Sequence, residues 1–259
     1  MNNMCATKQH NSHKLGTVAM QVINLAVKPF GAVSSFLARH PSESDYAKEQ
    51  ICAKAEKPSE CRKSTATSAL QQLNSVRTKM FDLVESNEWI ALSDLIKDWD
   101  QSRAAANDET RLARHALFAV ADALAVGPGV NGMPDIADES IERLANVYAL
   151  QPECYPLAAI CAYLHICQVW NLQGTDRNSR INDDYKDEAK SKRKFAKKFL
   201  APHDPKTLNS PLLAGVRFDT LPLLSKTGDL TKRYYKEWAA LDLEDQVPHA
   251  EYYFLRLPN

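Results

Sequence analysis

The stretch Pro152–Gly174, PECYPLAAICAYLHICQVWNLQG, constrains the fold more than any other part of the chain. Leu157, Ile160, Cys161, Leu164, Cys167 and Trp170 recur every three or four positions, the spacing of one helix face. Ala158, Ala159, Ala162, Ile166, Val169 and Leu172 fill most of the remaining circumference. A helix apolar nearly all round is enclosed by other helices or by lipid. His165, Gln168, Asn171 and Gln173 lie inside the span and argue against lipid. The pattern predicts a buried helix over Glu153–Gln173, with Pro152 and Pro156 suited to its first turn and Gly174 to its end. An all-α fold of antiparallel helix pairs is expected, the pairing following from short connections such as Gln151–Pro152.

The polar residues of that helix are themselves ordered. At roughly 100° per residue, His165, Gln168 and Asn171 form one narrow stripe bordered by Cys161. Such a stripe is either a polar network satisfied by neighbouring helices or a binding site. Cys161 and His165 are four apart and suit a metal pair, but two ligands are too few for a structural zinc site. Cys154 lies about 10 Å along the axis from Cys161, too far to share an ion easily. No metal or other cofactor is expected.

Periodic apolar positions predict further helices at Ser68–Glu85, Glu88–Ala104, about Asn107 to Val126, Asp138–Leu150, Asp183–Leu200, Asp229–Leu241 and a last one after Pro248. A shorter helix is expected within Pro202–Asp219. Asn87 is a candidate cap for the second of these, and Asn107 or Asp108 for the third. Gly127–Pro134, GPGVNGMP, is the strongest break in the chain. Strand signals are weak throughout.

Ahead of this body the organisation changes. Residues 1–40 read as an amphipathic helical arm, with Met20, Ile23, Val27, Phe30, Val33 and Leu37 on one stripe interrupted near Pro29 and Gly31. Membrane-surface contact through residues 15–38 is the minor reading there, because the polar face is not rich in Lys or Arg. Residues 41–67 read as a polar linker, and 68–259 as the main domain.

Charge and motifs exclude more than they assign. Lys+Arg and Asp+Glu are both 32, so the formal net charge is zero and no global field favours nucleic acid. The basic run from Lys190 to Lys198 follows acids at Asp183–Glu188, the order that a helix dipole favours, and it reads as a solvated face. Only 8 glycines occur in 259 residues, and there is no GxGxxG, Walker loop or GxSxG. Six cysteines are present, three of them in the apolar helix, which suits reduced thiols and a cytoplasmic setting. Cys52 and Cys61 flank a polar run and can close a short disulfide only in an oxidising compartment.

Three segments, ESNEWIALSDLIKDW at 85–99, ALQPECYPLAAICAYLHICQVWNLQG at 149–174 and PHAEYYFLRLP at 248–258, resemble a bacterial family of uncharacterised, tetratricopeptide-like helical proteins. The resemblance covers roughly residues 68–259. It implies a tetratricopeptide-like helical array and carries no catalytic residues.

The expected function is a protein-interaction module, since stacked helix pairs offer a curved surface for a protein or peptide. His165, Gln168, Asn171, Trp89 and Trp99 are the candidate binding residues, although most tryptophans are core residues. A bacterial immunity protein against a secreted toxin is one alternative. An enzyme is the other, with Cys161, His165 and Gln168 joined by Asp98, Asp100 or His115 through packing. No catalytic residue is assigned, and oligomeric state is left open.

Overall fold

The computed structural model describes residues 59–129, 132–173, 183–221 and 228–256. The chain divides into two units, Met1–Glu56 and Lys57–Asn259, and every described residue lies in the second. The amphipathic arm at 1–40, most of the 41–67 linker and Cys52 of the suggested disulfide fall outside the described residues.

Nine helices carry the described chain: α1 (Ser59–Glu85), α2 (Trp89–Ser102), α3 (Leu112–Leu124), α4 (Asp138–Leu150), α5 (Tyr155–Gln173), α6 (Asp183–Leu200), α7 (Pro211–Asp219), α8 (Gly228–Leu241) and α9 (Val247–Arg256). Two two-residue strands, β1 (Gly127–Pro128) and β2 (Pro134–Asp135), pair antiparallel between α3 and α4. Among the described residues no helix is long and apolar enough to cross a membrane.

The apolar stretch is the hub. α5 packs against α2, α3, α4, α6, α7 and β2. Leu157, Ala158, Ala159, Ile160, Cys161, Ala162, Leu164 and Cys167 are all fully buried on it. It packs against a helix equally rich in small residues: Ala113, Ala116, Ala119 and Ala121 of α3 are buried as well. Small side chains let two helix backbones approach closely, and Leu117, Val120 and Leu124 fill what remains. α1 closes the other side of α3 with Val76, Met80, Leu83 and Val84. A smaller cluster of Ala214, Phe218, Leu221 and Trp238 joins α7 to α8.

The helix ends differ from expectation in three places. α1 begins at Ser59, nine residues before the expected Ser68, although its first residues SECRKSTAT show no apolar period. Asn87 does not cap α2: its φ of 59° makes it a left-handed residue in the turn after α1, and Glu88 takes the N-cap position without a side-chain bond. Asn107 and Asp108 likewise lie in a turn, and α3 starts only at Leu112. Asn107 bonds Gln72 and Ser68 of α1 instead.

α7 is capped by a serine. Ser210 accepts from Leu213 N–H at 3.0 Å, and Pro211 occupies the first turn. Ser210→Ala should cost about 1 kcal/mol, read as a lower urea midpoint at unchanged slope.

Candidate functional site

The polar stripe of α5 turns inward on the chain's own backbone. Gln168 Nε2 donates to Ile136 O at 3.0 Å and to Asp138 Oδ1 at 2.7 Å. Asn171 Nδ2 donates to Pro134 O at 3.0 Å. Both residues therefore pin the β2–α4 connection to the hub. Gly129 lies so close that a Cβ there would stand 2.5 Å from Asn171 Oδ1 and 2.6 Å from Met133 O. Lys192 of α6 reaches the same Asp138 carboxylate at 2.7 Å, and its hydrogen bond, with that of Gln168, holds Asp138 below the usual carboxylate range.

His165 stacks on Phe195 and Phe199 of α6, with centroids 5.6 and 5.9 Å away. Burial depresses its pKa and the nearby Gln168 partly restores it, so the ring is neutral at neutral pH. Gln168 Oε1, Asn171 Oδ1 and His165 Nδ1 are buried and have no hydrogen bond of proper geometry. The three predicted residues thus share a face, and their principal contacts brace the fold.

The other candidates separate. Trp89 is a core residue, 6% exposed, with the Arg143 guanidinium 5.8 Å over its ring. Trp99 is half-buried and lines a cleft described below. Burial pushes the Cys161 thiol up to about 12, which keeps it protonated and unsuited to nucleophilic attack at neutral pH. His115 is bonded to Leu73 O on α1, and Asp100 is bonded to Tyr155 near the start of α5, ten residues from His165. Cys161 should resist iodoacetamide in the folded protein and react fully in denaturant, as read by mass spectrometry. Labelling of Cys161 in native buffer at the rate of a free thiol would contradict its burial.

A second site brings Trp99 and Asp100, both named from the sequence, together with residues that were not. Trp99 and Trp238 line a narrow cleft with about 30 Å³ of free space, room for water-sized molecules, together with three arginines and four aspartates. Arg103 ends α2 in a left-handed conformation, φ 56°. Its guanidinium donates to backbone carbonyls, of Asp100, of Asn209 at 3.0 Å and of Leu241 at 3.1 Å. Arg111 holds Asp242 through Nη2 and Nε, each at 2.7 Å. Asp100 accepts from Tyr155 Oη and from Leu212 N–H, both at 2.9 Å, tying α2 to α5 and to the start of α7. Arg114 lies over the rings of Trp238 and Phe118, at 4.7 and 5.4 Å, and is shared by Asp219 at 3.8 Å and Glu251 at 3.7 Å.

Burial dominates the electrostatics of this cleft. Burial raises Asp100 even against its hydrogen bonds, and raises Asp245 likewise. Asp219 is pushed up to about 7, because burial outweighs the attraction of Arg114. The sequence held a faint signal of all this. Arg114 lies with His115 and Asp122 in the mostly apolar helix LARHALFAVADAL, and Asp219 ends PLLAGVRFD, apolar but for Arg217. Their pairing across about a hundred residues follows no local motif, so only the fold brings them together.

No protein-family model, no curated protein and no solved structure matches the chain.

Proposed function

We propose that this chain is a protein-interaction module that holds a protein or peptide partner on its helical surface, with the charged cleft as the anchor point. The cleft itself carries the reading: two tryptophans and seven charged residues surround an opening to solvent. Aromatic and arginine residues around a partly desolvated pocket are the composition of binding anchors. The tetratricopeptide-like arrangement belongs to this proposal. The short connections 86–88 and 151–154 between α1 and α2 and between α4 and α5 favour antiparallel neighbours. The resemblance to the bacterial tetratricopeptide-like family points the same way. A cytoplasmic setting is supported by the free thiols of Cys154, Cys161 and Cys167. A Cys161/His165 enzyme finds no support in a thiol so strongly protonated.

Tagged full-length protein, captured from its native host and read by mass spectrometry, tests the reading. A single stoichiometric partner, held by the wild type and lost with Asp219→Asn, is the expected result. If that partner is a toxin, the module is an immunity protein. A partner that Asp219→Asn holds equally well places binding away from the cleft, and no partner at all sinks the proposal.

A further inference from the structure

The geometry points to α9 as a latch: it stays docked on the body while the Asp219 carboxyl is protonated, and it is let go when that carboxyl ionises. The latch stands apart from the interaction reading above, and its test needs no partner.

One guanidinium serves two helices. Arg114 of α3 stands 3.8 Å from Asp219 of α7 and 3.7 Å from Glu251 of α9, each too long for a hydrogen bond. Arg114 itself is fixed. It lies over the Trp238 and Phe118 rings, and a Cβ on Gly215 would stand 3.1 Å from its Nη1. Asp219 is fixed as well, because it ends a helix whose Leu212, Leu213, Val216 and Phe218 are buried. α9 is held less firmly. It packs on α8 and lays Val247 and Tyr252 against the edge of the small α7–α8 cluster. Tyr252 stacks on Tyr235 with centroids 4.1 Å apart, and His249 Nδ1 lies 2.9 Å from Tyr235 Oη. Glu251 then ties α9 to α3 through Arg114.

Charge counting decides which part gives. With Asp219 protonated, Arg114 and Glu251 cancel. With Asp219 ionised, one cation faces two carboxylates, and Asp245 acts on the same guanidinium. Unbalanced charge away from water is costly. Asp219 and Arg114 are held in place by α7 and α3. Glu251, the more exposed of the two carboxylates, can take its charge into water by leaving with α9.

Burial pushes Asp219 up to about 7 against the pull of Arg114, and Glu251 adds to the rise. Tyr163 and Cys167 of α5 also face it, and burial holds both protonated. Asp122 of α3 is paired with Arg77 at 2.6 Å. α8 turns the uncharged Trp238 toward the pair, while its Glu237 is taken by Arg217 at 3.4 Å. Asp245, raised by burial, acts in the same direction as Asp219. Once α9 leaves, Asp219 meets water and returns toward the ordinary carboxylate range. Undocking therefore releases a proton below about pH 7, so it grows easier as pH rises toward 7 and levels off above.

Chymotrypsin cleavage after Tyr252 in the full chain tests the latch, because that ring must leave Tyr235 to enter a protease. Mass spectrometry reads the cut. A matched peptide spanning 246–259, cleaved at each pH, corrects for the protease's own profile. When cleavage is slow relative to reclosing, its rate follows the open fraction. In the wild type the corrected rate is expected to rise about tenfold or more from about pH 5 to pH 7, then to level off. Asp219→Asn should stay slow and flat. Glu251→Gln, the second variant should the first misfold, should rise less, because nothing on α9 then opposes the ionised Asp219. A wild-type rate that does not change with pH, a rise of equal size in either variant, or cutting throughout the chain together with Tyr252 overturns the proposal.

Discussion

Asp219→Asn should become progressively more stable than the wild type as pH rises from about 4 to 7, by up to about 1.4 kcal/mol per pH unit. Asp219 has its folded-state pKa raised to about 7 from an ordinary 3.8. Between those values the folded chain holds a proton that the unfolded chain has released. Stability linked to this carboxyl is therefore present at low pH and is lost as pH climbs through the window. Above about pH 7 both states are ionised and the difference between wild type and variant levels off. Asparagine keeps the shape and removes the charge. Arg114 retains Glu251 at 3.7 Å, so the variant does not strand a buried cation. Urea midpoints measured at intervals across the window provide the check, and a difference that does not change with pH would remove Asp219 as a buried titrating group. A variant that gains stability while losing its ligand would also show that weakened binding is not a folding defect.

Trp238→Ala should cost roughly 3–5 kcal/mol, the range for deleting a buried aromatic side chain. Trp238 is 1% exposed and packs on Phe218 with centroids 5.7 Å apart. Gly215 of α7 permits the close approach: a Cβ there would meet Trp238 at 3.0 Å and Arg114 Nη1 at 3.1 Å. Truncation removes the ring from beneath the Arg114 guanidinium and opens a cavity between α7 and α8. Trp238→Phe should lose less, because a smaller ring still covers part of that face. Urea unfolding of the two variants separates the cases, and equal losses would mean that stability depends on the indole specifically rather than on filled volume.

The legible part of the fold was the part written in short-range periodicity. α4 and α6 have the expected bounds, Asp138–Leu150 and Asp183–Leu200, because acids open both and the apolar positions keep helical register. The hub helix declared itself through a circumference apolar but for one polar stripe. Ends set by backbone conformation were harder to read. Asn87 suits an N-cap and a left-handed turn equally well by type, and only its φ of 59° separates them. Trp89 is a plausible anchor by residue type, yet it is buried in the core. The stripe of His165, Gln168 and Asn171 was legible as a shared face, but its carbonyl partners at Pro134 and Ile136 were not, since they depend on where the β1–β2 turn folds back. The cleft was the least legible, because Arg111 and Asp242 meet across 131 residues.

The position of α5 has a consequence for motion. Because it touches five other helices, no partial opening can bring it to water without dismantling most of the body. Its amides from Ile160 to Ile166 should then exchange with solvent only through complete unfolding. The slowest-exchanging protons of the protein would lie on this helix, and their rate would report any ligand that tightens the fold, wherever on the surface it binds.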